Sequence, residues 1–170
     1  KAGNMIKAIL SRGLASLCAA ALLATTVAAA PQPNSPLLGS WQADVSQSTF
    51  QGRAPYRKGT ITFSASTNGM IRVVCDVVTA NGAPFHFEYQ SLEDDSVVPV
   101  TGNPYYDSAS VAWRDSRTAI RTERRAGKVI GTTTIVIAAD GKSFKASSSR
   151  TTPEDGHLYN SVILWKRVAE

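Results

Sequence analysis

The side chains able to do chemistry in this chain are few, and their spacing excludes most reactions. Two histidines, His86 and His157, lie on separate segments. No His-x-x-x-His or Cys-x-x-Cys pair offers metal-ligand spacing. There is no Gly-x-Ser-x-Gly elbow and no phosphate loop, so no catalytic residue, metal or cofactor is expected. His86 alternates with Phe85 and Phe87 and reads as an exposed strand histidine, and His157 follows the turn pair Asp155-Gly156. Glu93, Asp94 and Asp95 read as a solvated loop, because the alternating oxygen ligands of a calcium loop are missing. Arg121, Arg124, Arg125 and Lys128 gather around one predicted hairpin. A solvated tip is the plain reading of that cluster, an anion patch the functional one. Without interleaved stacking aromatics, nucleic acid is not an expected partner.

What remains is aromatic. Phe63, Phe85, Phe87, Tyr89, Trp113 and Trp165 fall on different segments. They are expected either to pack a core or to line an apolar cavity, with Tyr105 and Tyr106 at its mouth. Their positions depend on the elements that carry them.

Residues 1–29 are set apart first. Met5, Lys7 and Arg12 form a basic head behind an upstream extension, Lys1 to Asn4. Leu14 to Ala30 is apolar or small and ends Val27-Ala28-Ala29-Ala30, the pattern of a cleaved secretory signal peptide. At 17 residues and rich in alanine, it is a weak candidate for a membrane span, and none is expected in the mature chain. The net charge of +5 includes Lys1, Lys7 and Arg12 and falls to +2 without them, a weak argument for a polyanionic partner. Cys75 is then the only cysteine left, so no internal disulfide is possible, and its valine neighbours predict a buried, inert thiol.

Residues 30–37 read as a proline-rich linker and 38–170 as one domain. The segment from Ser46 to Tyr56 is read as a long connection with room for one helical turn. Beyond it, Asn68-Gly69, Asn81-Gly82, Asp140-Gly141 and Asp155-Gly156 mark tight hairpins, with Ala126-Gly127 as a weaker fifth. Between them, residues alternate with period two. Ile71, Val73, Cys75 and Val77 share a face, as do Phe85, Phe87 and Tyr89, and again Tyr159, Ser161, Ile163 and Trp165. Ten strands are counted, at about 38–45, 58–66, 70–79, 83–91, 95–101, 109–115, 118–125, 128–138, 142–151 and 157–167. A meander of so many strands removes its edges by closing, which predicts an all-β, up-and-down barrel of 8–10 strands. A β-sandwich is the alternative, but it calls for longer crossovers.

The first strand carries Gly39-x-Trp41, followed by Ser48-x-Phe50. Gly39-x-Trp41 at the start of such a meander resembles the lipocalin and wider calycin group. More narrowly, with Ser48-x-Phe50, Pro99-Val100-Thr101-Gly102, Gly127-Lys128-Val129 and Asp140-Gly141-Lys142, the chain looks like small exported bacterial lipocalin-like proteins. That resemblance implies a barrel with an internal cavity rather than a chemistry. It also implies that Trp41 plugs one end beneath an arginine from a late strand, with Arg167 favoured over Arg114, and that Gly39 lets the backbone pass close by. The functional expectation is a periplasmic or secreted, monomeric or weakly dimeric binding protein for a small, largely apolar molecule. It requires a cavity of a few hundred Å³. A structural or protein-interaction module is the alternative, suggested by the hydroxyl-rich Thr132-Thr133-Thr134 and Ser147-Ser148-Ser149.

Overall fold

The computed structural model describes residues 34–151 and 156–169. The segment read as a signal peptide therefore lies outside the described residues. Ten antiparallel strands run in chain order: β1 (Gly39–Gln51), β2 (Tyr56–Ala65), β3 (Ile71–Thr79), β4 (Pro84–Ser91), β5 (Val98–Pro99), β6 (Ser108–Trp113), β7 (Thr118–Arg125), β8 (Lys128–Ile137), β9 (Ser143–Thr151) and β10 (Leu158–Arg167). A single 3-10 turn, Thr67–Gly69, joins β2 to β3. Among the described residues there is no α-helix, and no helix is long and apolar enough to cross a membrane.

Except for β4 and β5, consecutive strands pair, and β1 also pairs with β10, so the meander curls round on itself. The sheet order is β4-β3-β2-β1-β10-β9-β8-β7-β6-β5, leaving one seam between β4 and β5. A bridge crosses it: Glu88 and Thr101 exchange backbone hydrogen bonds of 3.0 and 2.9 Å. This is the predicted up-and-down barrel, nearly closed.

The period-two faces sit as expected. Ile71, Val73, Cys75 and Val77 are buried while Arg72 and Asp76 are exposed, and Phe87 and Tyr89 are buried between the exposed His86 and Gln90. Asn68-Gly69 and Ala126-Gly127 both turn with positive φ at the two central residues, the geometry that matches hairpin twist.

Two boundaries differ from the sequence reading. No helical turn forms after Val45. Instead β1 continues to Gln51 through an irregularity between Asp44 and Thr49. There the Ser48 hydroxyl donates to the Asp44 carbonyl (2.6 Å) and accepts from the Leu164 amide (3.1 Å), replacing ladder bonds that the bulge removes. The strand expected over 95–101 shrinks to Val98–Pro99, because Glu93 and Asp95 take positive φ and Pro99 has no N–H to give a ladder.

Candidate functional site

Turns alternate between the two ends of the barrel. One end gathers the β2–β3, β6–β7 and β8–β9 turns with residues 34–38; the other gathers the β1–β2, β3–β4 and β7–β8 turns and the loop from Val100 to Asp107. The two ends are built differently.

At the first end Trp41 is fully buried (0% exposed) and donates through Nε1 to the Leu37 carbonyl at 2.8 Å. The Arg167 guanidinium lies 4.0 Å from the centre of its ring, and the two residues are register partners on β1 and β10. Arg167 spends its donors on carbonyls: Nη1 to Leu38 (2.6 Å), Nη2 to Pro36 (3.2 Å) and Nε to Gly141 (3.1 Å). Gly39 has φ +119°, and a Cβ there would stand 2.6 Å from Arg167 Nη1. The described part of the proline-rich segment is thus packed against the barrel, with Ser35 and Leu37 buried. The same end holds Glu93, expected in a solvated loop. It accepts from Trp113 Nε1 (2.7 Å) and Ser35 Oγ (3.3 Å), and burial pushes its carboxyl above the usual range.

Inside the barrel, toward the other end, lies a charged cluster built on Arg121, which the sequence reading placed at a solvated hairpin tip, and on Glu123 and Arg150, which it did not single out. Arg121 is 8% exposed, Arg150 7% and Glu123 0%. Alternation along β7 turns Ala119, Arg121 and Glu123 inward together. Register sets Arg121 beside Thr133 of β8, and Thr133 beside Ser148 of β9. In the next row Glu123 faces Gly131, which faces Arg150. A Cβ on Gly131 would meet the Ser149 carbonyl at 2.5 Å and Arg150 Cα at 2.8 Å, so a missing side chain is what lets Glu123 and Arg150 meet across β8.

Glu123 sits between the two guanidiniums. Arg121 donates to Oε1 from Nη2 (2.7 Å) and Nε (3.1 Å); Arg150 donates to Oε2 from Nε (2.6 Å) and Nη2 (2.5 Å). Thr133 donates to Oε1 at 2.9 Å, so the hydrogen between Thr133 and Ser148 (2.8 Å) must come from Ser148. Burial alone raises a carboxyl's pKa, but the two guanidiniums outweigh it and hold Glu123 below its ordinary value. The Tyr89 hydroxyl lies beside Arg121. Arg150 gives Nε and Nη2 to Glu123, and no described residue accepts from its Nη1.

The cluster borders a partly open cavity of about 50 Å³. Its wall includes Phe63, Phe85, Phe87, Phe144 and Trp165 from the strands, Asn103 and Tyr106 from the loop, and Arg53, Arg121 and Arg150. The cavity is a fraction of the few hundred Å³ that the sequence reading requires. Ring-on-ring packing, with Trp165 stacked 6.0 Å from Phe144, and the inward cluster fill the rest. Cys75 also lines it, buried as expected, and burial pushes its thiol up to about 12. At the mouth, Tyr105 contacts Phe85 (6.1 Å) and Tyr159 (6.2 Å), and Tyr159 contacts His157 (4.9 Å).

Of the six aromatics proposed as lining, Phe63, Phe85, Phe87 and Trp165 border the cavity. Tyr89 is buried beside it, stacked on Phe87 at 6.3 Å, and Trp113 points to Glu93 at the other end. Arg121 is the correction with consequences: only Arg124, Arg125 and Lys128 of its group belong to the hairpin tip. The missed signal is the alternation Arg121-x-Glu123, which reads equally well as an outward stripe.

No protein-family model and no curated protein matches the sequence. Solved structures match the fold. A point mutant of the fluorescent protein UnaG aligns at 11% identity and TM-score 0.50, covering 79% of this chain and 98% of that one. A redesigned β-barrel, mFAP1, bound to DFHBI gives 16% identity and TM-score 0.45, over 78% and 95% of the two chains. The zebrafish ileal bile acid-binding protein complexed with cholic acid gives 11% and 0.45, over 79% and 100%. These likenesses are of fold alone, that of a small antiparallel β-barrel.

Proposed function

We propose that this protein binds a small molecule with an apolar body and an anionic head, taken into the barrel through the Tyr105 end. The supporting observation is the charge balance of the cavity. Three guanidiniums, from Arg53, Arg121 and Arg150, stand on its wall, and among the described residues Glu123 behind them is the only carboxylate bonded to the buried pair. In an apolar enclosure such an excess of positive charge favours an anion far more than it would in water. A buried Arg–Glu–Arg group is also a poor stabilising device compared with apolar packing, which argues for a use other than stability. Because the cavity is small, binding has to displace side chains at the mouth. The basic head, apolar centre and small-residue exit of residues 5–30 support export to the periplasm or beyond.

Calorimetry with octanoate, octanol and octylammonium tests the reading. Octanoate is expected to bind at least about tenfold more tightly than octanol, a margin of about 1.4 kcal/mol, and octylammonium not at all. Equal binding of octanoate and octanol, or no binding of any carboxylate, overturns it. A second reading, an interaction module, has one observation in its favour. Thr132, Thr134, Ser147, Ser149, Asn160, Thr49 and Gln51 form an uncharged polar groove on the outer face across β8, β9, β10 and β1.

A further inference from the structure

Tyr106 is the most deeply buried side chain of the cavity wall that no strand carries. It is 1% exposed, yet it comes from the loop between Val100 and Asp107. Its ring is held as a bound aromatic molecule would be. Arg150 lies 5.1 Å and Arg121 5.7 Å from its centre, and Phe87 meets it edge-on at 6.1 Å. Its hydroxyl is buried and finds no hydrogen-bond partner among the described residues. Burying an unpaired hydroxyl is unfavourable, so this arrangement is not explained as a stabilising contact.

The loop's own bonding allows the ring to leave. The amides of Tyr105 and Tyr106 both bond to the side chain of Asn103 (2.9 and 3.4 Å), within the loop. The loop closes at its base by Val100 N to the Asp107 carbonyl (2.8 Å). Between these points, Arg125 Nη1 to the Pro104 carbonyl (2.5 Å) ties it to the barrel. Swinging residues 103–106 outward therefore breaks no ladder bond of the sheet. It opens the wall beside Arg121 and Arg150, and the Nη1 of Arg150 is not used by any described residue.

We propose that Tyr106 occupies the protein's own ligand position, and that the pocket takes a planar aryl carboxylate, which displaces Tyr106 and sets its acid group on Arg121 and Arg150. This rests on the anion-binding reading above and names the ligand class. The space vacated by a tyrosine side chain, added to the existing cavity, suits a single ring; an engineered apolar cavity of about 150 Å³ holds benzene. A pocket whose competent state is a minor one binds more weakly by the fraction populated. Removing the tyrosine side chain removes that handicap.

The test compares the wild-type chain with Tyr106→Gly, using 4-methylbenzoate, 4-methylphenol and octanoate as ligands in calorimetry. Tyr106→Gly is expected to bind 4-methylbenzoate at least about tenfold more tightly than wild type, and to take up 4-methylphenol, which refills the vacated place. If the variant does not fold, nitration of wild type by tetranitromethane, mapped by mass spectrometry, answers the same question. Tyr106 is expected to be protected alone and to become reactive when 4-methylbenzoate is bound. Equal affinity of the two proteins for 4-methylbenzoate, or Tyr106 still protected with the ligand bound, overturns the proposal. Binding of octanoate with no binding of 4-methylbenzoate by either protein overturns it too, while leaving the anion-binding reading standing. Failure of every carboxylate on both proteins removes both.

Discussion

The barrel places arginines against aromatic rings at two sites, and the two are bonded to opposite effect. At the Trp41 end, Arg167 lies over an indole with Nε, Nη1 and Nη2 all on carbonyls, and Gly39 clears the space. At the Tyr106 end, Arg121 and Arg150 share one carboxylate, border a cavity and hold a tyrosine whose hydroxyl is unpaired among the described residues. A satisfied stack is a closure, since nothing a ligand offers improves it. On the proposed reading, an unsatisfied one is open to a molecule that brings an acceptor for the arginines. The same residue types would then close one end and receive a ligand at the other, and the accounting of donors separates them.

If that contrast holds, the largest loss of stability comes from the closed end. Trp41→Ala should cost about 3–5 kcal/mol in denaturant unfolding, as truncating a large buried aromatic does. The affinity of the folded variant for a carboxylate ligand should stay near that of wild type. A loss below about 1 kcal/mol would mean the stack does not close the barrel.

Glu123→Gln comes next, at about 3 kcal/mol, because it leaves two buried guanidiniums facing each other without a countercharge. Added anions should narrow that gap at the Tyr106 end and not for Trp41→Ala. The pH dependence has a definite sign. Glu123 titrates lower in the folded state than its ordinary value of about 4.3. Its stabilisation is therefore complete above that pH and is lost as pH falls through the lower folded value. The stability difference between wild type and Glu123→Gln should be widest at about pH 7 and shrink below about pH 4. A difference that stays constant down to about pH 3 would remove the ion cluster from the account.

A smaller effect is expected for Gly39→Ala, about 1–2 kcal/mol, since alanine there must accept a positive φ and push Arg167 from its place. Thermal unfolding measures it, and a neutral result would mean the close approach is not needed. The smallest sharpens the comparison most. Tyr106→Phe deletes a hydroxyl that makes no bond with the described residues, and should leave stability unchanged within about 0.5 kcal/mol or raise it. A loss above about 1 kcal/mol would mean the hydroxyl is satisfied after all, and the two ends would be alike.

Much of the architecture was legible in residue order. Period two with hairpin pairs such as Asn68-Gly69 specifies strands and turns, and those signals are local because a pleat and a positive φ depend on immediate neighbours. An arginine over Trp41 is what the resemblance implies, and closure favours Arg167 for it, since a meander that hides its edges sets its last strand beside its first. The bulge between Asp44 and Thr49 was not legible. It is set by the register of β10, with Leu164 reaching Ser48 across the barrel wall.

The polar site was not legible either, for a related reason. In Thr118–Arg125, Ala119, Arg121 and Glu123 alternate with Ile120, Thr122 and Arg124, and neither stripe is clearly the apolar one. Charge alone argued for turning Arg121 outward. What turns it inward is Glu123 meeting Arg150 over a glycine on the strand between them, and a loop tyrosine packing against both guanidiniums. The sequence by itself determined which residues share a face. Only the tertiary structure decided which face is inside, because a buried charge is tolerable only when its partners arrive from strands far apart in the chain.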